Sequence, residues 1–235
     1  SIEESISLPL LYYKENISIT LSLLDIISKH KVKNFIFSST ATVYDKNMKL
    51  PWTENTITSF PDHAYGSSKL IIENILRDFQ NKKKNISVGI LRYFNPGGIH
   101  SSGLIGEDPK TKAANLLPAI ISYLEGKEKK INIFGNQYKT KDGFAVRDFI
   151  HIDDLIKGHI LVLDYIKNKK IYSIWNLGSG KGNSIIEIIH AFEEAIDKKI
   201  KIKILPPRKG DLGEFWADIS KAKKELKWFP KTKFS

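Results

Sequence analysis

Two hydrophobic periods alternate along the first part of this chain, and few folds accommodate the order in which they do so. Residues 20–29 carry Leu23, Leu24, Ile26 and Ile27 at helical spacing. Residues 32–39 (VKNFIFSS) form a short apolar run that ends in hydroxyls, as a buried strand does. Residues 65–79 return to the helical period, with Leu70, Ile71, Ile75, Leu76 and Phe79 on one face, and residues 87–93 read as a second strand. Between them, residues 45–63 hold Pro51 and Pro61 and read as a loop. Helix, strand, helix, strand calls for parallel pairing with crossover helices, the α/β class.

The texture changes at Asn95-Pro96-Gly97-Gly98. Residues 100–112, with Gly103, Gly106 and Pro109, read as a loop. Helices are expected at 115–124 and 153–165, and a strand at 172–177 closing on Gly178-Ser179-Gly180. Asn183 is expected to cap a helix through 196, residues 201–205 alternate like a strand, and Asp218 is expected to cap a last helix to 226.

Apolar residues make up 41% and charged residues 27% of the 235, so a sizeable core can form. No apolar stretch approaches the roughly 18 residues of a membrane span. Cysteine is absent, which excludes disulfides, thiolate metal sites and a cysteine nucleophile, and fits the cytoplasm. The formal net charge is +11, but runs such as Lys82-Lys83-Lys84 and 127–130 lack interleaved aromatics. They read as solvated surface, so neither nucleic acid nor membrane is expected as a partner. The sequons at Asn16 and Asn85 read as chance.

The chemistry centres on Tyr65-Gly66-Ser67-Ser68-Lys69. A spacing of four places the phenol and the ammonium one helical turn apart on one face. An ammonium beside a phenol favours the phenolate, so the Tyr65 pKa is expected to fall and the group to serve as a base. Alone, a Tyr-x-x-x-Lys spacing is weak evidence. Upstream, however, Phe37-Ser38-Ser39-Thr40 runs off a strand into hydroxyls, and the next strand ends in Tyr93-Phe94-Asn95-Pro96. Ligands of parallel sheets sit beyond the carboxyl ends of strands. Thr40, Tyr65 and Asn95 are thereby expected at one crevice.

With these residues in view, the chain resembles the extended short-chain dehydrogenase/reductases, and among them the UDP-glucose 4-epimerase family. The resemblance rests on VKNFIFSSTATVY, AYGSSKLIIENIL, LRYFNPGGIH, GEDP, IFGNQYKTKDGFAVRDFIHIDDL, WNLGSGKGNS and PRKGDLGEFWAD, in family order and over nearly the whole chain. It implies the C-terminal portion of a Rossmann-type parallel-sheet domain (residues 1–96) plus a smaller α/β substrate-binding domain (mainly 97–235). Residues of about 144–180 would return to the nucleotide-binding sheet. The family's glycine-rich dinucleotide turn has no counterpart here, so this piece alone is expected to bind NAD poorly and to be inactive.

By the same resemblance, Tyr65 takes the proton of the sugar 4-hydroxyl, Lys69 holds the nicotinamide ribose and Thr40 is the third catalytic member. Ser38, Tyr93 and Phe94 would line the NAD site. Asn95, Asn115, Leu116, Asn132, Ile133 and Phe134 would meet sugar, diphosphate and uracil, Arg147 and Arg208 the diphosphate, and Asp211 the uridine ribose. NAD would oxidise C4 transiently and return hydride to the opposite face, interconverting UDP-glucose and UDP-galactose. Related 4,6-dehydratases place Asp-Glu after the catalytic Thr. Here Ala41-Thr42 stand there, which disfavours elimination. A bulky Phe215 near the sugar implies hexoses and not N-acetylhexosamines. Glu15 replaces a family Asn, and Ile19 a family Gly, near the cofactor. A homodimer of the full-length protein is implied, through residues 20–29 and 65–79.

Other readings remain. A different NAD-dependent nucleotide-sugar epimerase or decarboxylase shares these motifs, and a non-catalytic nucleotide- or RNA-binding module shares the fold. Without the resemblance, Arg147 beside Asp148 and Arg208 near Asp211 read as ion pairs, and Phe134 as core. Gly178-Ser179-Gly180-Lys181-Gly182 reads as a tight turn before a helix and only weakly as a phosphate loop. His151 with Asp153 and Asp154 lacks a third ligand at metal spacing, and Asp153 reads as a helix cap, so no metal is expected.

Overall fold

In a computed structural model of the chain, residues 2–100, 102–107, 115–208 and 210–232 are described. The elements run α1 (Ile2–Ser7), α2 (Pro9–Tyr13), α3 (Ile19–Lys29), β1 (Asn34–Thr40), α4 (Ala64–Lys82), β2 (Ser87–Tyr93), β3 (Asn95–Gly97), α5 (Leu116–Leu124), β4 (Ile131–Phe134) and β5 (Val146–Arg147). There follow β6 (Phe149–His151), α6 (Ile152–Ile166), β7 (Tyr172–Leu177), β8 (Asn183–Ser184), α7 (Ile185–Ile196), β9 (Ile202–Leu205), β10 (Glu214–Phe215) and α8 (Ser220–Leu226). The fold is α/β with parallel strands, as the alternating periods require. A π-helical turn, Lys14–Ser18, joins α2 to α3. Part of the 100–112 loop, including Pro109, lies outside the described residues.

The central sheet has the order β1-β2-β7, all parallel, with Phe37 opposite Ile90 and Ile90 opposite Ile174. β2 is buried along its length because both of its faces are covered. Val88 and Ile90 join Leu24, Ile27, Ile72 and Leu76 on the α3–α4 side, whereas Leu91 joins Leu155, Val162, Trp175 and Trp228 on the α6–α8 side. This is the two-residue alternation of a strand turned into two cores. A Cβ at Gly89 would lie 2.8 Å from Val162 Cγ1, and one at Gly158 2.8 Å from Leu177 Cδ1, so glycine lets α6 approach the sheet closely. The outer edge of β1 has no strand partner among the described residues. A third core gathers α5, β4, β6 and α7 through Leu117, Ile120, Ile131, Ile133, Phe149, Ile188 and Ile189, with β4 parallel to β9.

Three expected caps shift. The α7 cap is Ser184, not Asn183, which stands in β8. Ser184 Oγ accepts from Ile186 N at 3.1 Å while Ser184 N donates to Glu187 Oε2 at 2.9 Å. This reciprocal box satisfies two N–H groups where Asn183 would satisfy one. The α6 cap is His151, whose Nδ1 accepts from Asp153 N at 3.2 Å, and Asp153 lies in the first turn. Before α8, Asp218 Oδ1 accepts from Ser220 N at 2.7 Å, but the boundary residue is Ile219.

One buried ion pair ties α4 to β2. Arg92 Nη2 lies 2.6 Å from Glu73 Oε2 and Arg92 Nε 3.1 Å from Glu73 Oε1, with both side chains 4% exposed. Ser39 Oγ donates to Glu73 Oε1 at 2.5 Å, and the Tyr44 ring lies 4.7 Å from the guanidinium. Removing one partner leaves a buried charge unpaired. Arg92→Met should therefore lower stability in urea unfolding by about 3–5 kcal/mol, and adding Glu73→Leu should restore most of it. A loss of under about 1 kcal/mol would mean that the pair behaves as a solvated one.

Candidate active site

α4 begins where His63 Nδ1 accepts from Gly66 N at 3.0 Å. This start sets Tyr65 on the first turn and Lys69 and Glu73 on the next two along the same stripe. Tyr65 is half-buried, with the His63 ring stacked 6.2 Å away and the Tyr12 ring edge-on at 6.4 Å. Asn16 Nδ2 donates to Ser68 Oγ at 2.8 Å, which holds the π-helical turn against α4.

Thr40 ends β1 directly beside Tyr93 of β2 in the sheet register. Its Oγ1 accepts from Thr42 N at 3.2 Å and lies 3.2 Å from Thr42 Oγ1. Tyr65 is within electrostatic reach of both Thr40 and Tyr93. Lys69 Nζ donates to the Ser38 carbonyl at 3.0 Å and sits 4.8 Å from the centre of the Phe37 ring. Tyr93 Oη lies 2.6 Å from Ser38 Oγ and also contacts His159 Nε2. Asn95 N donates to Asp148 O at 2.9 Å, while Asn95 Oδ1 is buried with no hydrogen-bond partner. The structure thus gathers Tyr65, Lys69, Thr40, Ser38 and Tyr93 at the carboxyl ends of β1 and β2, with Asn95 on the next strand. Phe94 is buried in the core, 6.1 Å from the Phe215 ring.

The electrostatics correct one expectation. Burial pushes the Tyr65 phenol up from its ordinary value, and the Thr40 hydroxyl opposes that rise. The Lys69 ammonium does not offset that rise, because it is turned to the Ser38 carbonyl and the Phe37 face. Burial in turn pulls the Lys69 pKa down. In this chain the phenol is held as a phenol.

A second group of predicted residues lies together elsewhere. Arg147 Nη2 donates to Asp211 Oδ1 at 2.5 Å and to Leu212 O at 2.8 Å, and Nη1 donates to Val146 O at 2.9 Å. Its guanidinium lies 4.7 Å from the Phe215 ring, which stacks on Trp52 at 5.6 Å. Arg208 lies 4.0 Å over the Phe134 ring. Phe134 is accordingly not core, and Arg147 pairs with Asp211 and not with Asp148. Ile133 is buried in the third core, Leu116 packs against it, Asn132 is half-buried and Asn115 is exposed at the start of α5 with no side-chain cap bond.

Asp148 has a different task. Its carboxylate accepts from Ser179 N, Ser179 Oγ, Gly180 N and Ala217 N, at 2.5, 2.6, 3.1 and 3.0 Å. The glycine turn after β7 receives the carboxyl group of this side chain, which burial pushes up and these donors hold down. A Cβ at Gly178 would lie 2.4 Å from Asp148 Oδ2, so the close approach requires glycine. His151 Nδ1 is 3.7 Å from Asp153 Oδ2, and among the described residues no group of three His, Cys, Asp or Glu could hold a metal ion.

Three contributors were not read from the sequence. Tyr138 lies beside Asp211, Arg147 and Arg208, where burial and the Asp211 charge push its phenol up. His159 reaches Tyr93 from α6, and no spacing could have signalled that packing. Glu73, four residues beyond Lys69, was legible as part of the same helical stripe.

The fold and the site define a class. The chain belongs to the NAD dependent epimerase/dehydratase family, whose profile matches residues 1–178. Its relatives include the UDP-glucose 4-epimerases of Yersinia pestis and Homo sapiens, each 43% identical over 228 residues, covering 97% of this chain and 68% and 66% of theirs. Two solved structures are similar as well. The UDP-glucose 4-epimerase of Bifidobacterium longum, in complex with NAD+ and UDP, superposes with a TM-score of 0.94 at 44% identity. That of Stenotrophomonas maltophila, with bound NAD and formylated UDP-arabinopyranose, gives 0.96 at 37%. This chain is covered completely in both, and they are covered to 70% and 69%. The chain spans about two thirds of the length of the curated relatives it matches. Among the described residues, no helix is long and apolar enough to cross a membrane.

The isolated phenol makes a testable prediction. In the chain without ligand, phenolate absorbance should show Tyr65 titrating above the ordinary tyrosine range, and Lys69→Met should leave that titration nearly unchanged. A clear upward move in the Lys69 variant would show that the ammonium already acts on the phenol.

Proposed function

We propose that the complete protein interconverts UDP-glucose and UDP-galactose by transient oxidation at sugar C4 and return of hydride to the opposite face. The observation that carries this reading is the gathering of Tyr65, Thr40 and Lys69 at the carboxyl ends of β1 and β2, where the chain leaving β2 continues into Asn95, whose buried Oδ1 has no hydrogen-bond partner. A buried acceptor without a donor is costly unless a ligand hydroxyl supplies one. The donors and acceptors at the ends of β1 and β2, Ser38, Tyr93, Lys69 and Tyr65, suit a nicotinamide nucleoside at the sheet edge.

In this mechanism Thr40 holds the 4-hydroxyl and Tyr65 takes its proton. Asn95 accepts from a neighbouring sugar hydroxyl. Lys69 keeps its ammonium at the Ser38 carbonyl, where a ribose hydroxyl can share it. Bound NAD supplies the hydride acceptor and donor, and a positive charge that favours the phenolate which burial alone disfavours. Tyr65 later returns the proton to the oxygen. Ala41 and Thr42 after the catalytic Thr offer no acid or base for elimination, which supports epimerisation over dehydration.

Uracil is placed against Phe134 and the diphosphate near Arg208, whose planar fork suits phosphate. Asn115, Leu116, Asn132 and Ile133 flank this path. Arg147 is already committed to Asp211, so it shapes the 211–213 segment and meets phosphate by sharing that contact. Phe215, held between Arg147 and Trp52, narrows the sugar end and favours hexoses. We also assign the complete protein to the cytoplasm, in keeping with the lack of cysteine in these 235 residues, and to a dimer. Ile19, Leu21, Leu23 and Ile26 of α3 are exposed, whereas residues 65–79 expose only Arg77 and Asp78, so α3 offers the larger apolar surface.

In the complete protein, Tyr65→Phe should abolish epimerisation of UDP-galactose while UDP-sugar binding by calorimetry stays within a few-fold. Turnover within about tenfold of the parent would remove Tyr65 as the base, since a positioned base contributes on the order of a hundredfold or more.

A further inference from the structure

His159 belongs to no motif used above, yet it closes a hydrogen-bonded chain into the crevice. The close approach of α6 to the sheet, allowed by Gly89 and Gly158, brings its ring within 5.4 Å of the Tyr93 ring at 60°. His159 Nδ1 lies 2.8 Å from the Leu155 carbonyl and Nε2 touches Tyr93 Oη. A carbonyl can only accept, so the Nδ1 proton is fixed on the Leu155 side. The Nδ1–H tautomer leaves a lone pair on Nε2, and the one proton of Tyr93 goes to it. That draws the proton away from Ser38 Oγ, the other acceptor it faces, at 2.6 Å, and leaves the contact between Tyr93 and Ser38 to the Ser38 proton.

We propose that His159 is a positioning residue for the cofactor side of the crevice. It takes the Tyr93 hydroxyl proton, so that Tyr93 and Ser38 both face the ligand with lone pairs. Such a surface accepts from an amide N–H donor, the kind a carboxamide carries. With His159 removed, the Tyr93 hydroxyl turns its proton to Ser38 or to the crevice, and the surface no longer presents acceptors alone. The inference rests on reading Tyr93 as a cofactor-lining residue.

The test uses the complete protein. Long-range proton–nitrogen NMR of the cofactor-free protein should show His159 protonated at Nδ1 and bare at Nε2. Calorimetry should show NAD affinity falling about tenfold in His159→Leu, the size of one neutral hydrogen bond, with UDP affinity unchanged. His159→Gln, whose amide oxygen can stand near the Nε2 position, should recover most of the loss. Tyr93→Phe should lose about as much as His159→Leu, and the double variant no more than either single one. Three results would each overturn the proposal: an Nε2-protonated ring, additive losses in the double variant, or parental NAD affinity in a folded His159→Leu. Parental NAD affinity in Tyr93→Phe would also end it, by removing Tyr93 from the cofactor site, while leaving the role of Tyr65 to its own variant.

Discussion

The buried pair between Glu73 and Arg92 fixes the relation between a helix and a strand, and the chemistry of this molecule depends on that relation. α4 carries Tyr65, Lys69 and Glu73 on one stripe, and β2 carries Arg92 next to Tyr93. Because the guanidinium grips both carboxylate oxygens, α4 cannot slide or roll along the sheet without unpairing two charges in the core. Ser39 adds its hydroxyl from β1. Two strands and one helix are locked together about two turns of α4 away from the reactive phenol.

The same economy recurs where the second part of the chain meets the sheet. Asp148 gathers the turn after β7 and the strand approach at Ala217, while Arg147, its neighbour in sequence, gathers residues 211–213. Two adjacent residues of opposite charge thus bind different segments and do not pair with each other. Tyr44 extends the lattice from Arg92 to Asn176, whose Oδ1 accepts its hydroxyl at 2.6 Å. Burial pushes the Tyr44 phenol up to about 12. A phenol with a raised folded pKa stabilises the fold fully below its unfolded value of about 10, and that contribution is lost as pH rises from there towards about 12.

Much of this was legible in the residues, for reasons that differ by element. β2 and β7 were readable to their bounds because short, largely apolar segments lie between turn signals, and α4 was readable over residues 65–79 of its nineteen because the helical period holds there. β3, β5, β6, β8 and β10, of two or three residues each, carry no period at all. The Tyr65–Lys69 spacing and the hydroxyl end of β1 marked the crevice. The direction of the Lys69 ammonium was not legible, since it is decided by a carbonyl thirty-one residues away. His159 was hidden for the same reason, because only the packing of α6 brings it to Tyr93.

The account comes down to where one phenol oxygen points when a sugar is present. A crystal structure of the complete protein with NAD and a UDP-hexose would decide it. The account predicts the Tyr65 hydroxyl within about 3 Å of the sugar 4-oxygen, with Thr40 on the same atom. A Tyr65 hydroxyl turned out of the space between Thr40 and Asn95, with the 4-oxygen held by other groups, would contradict it.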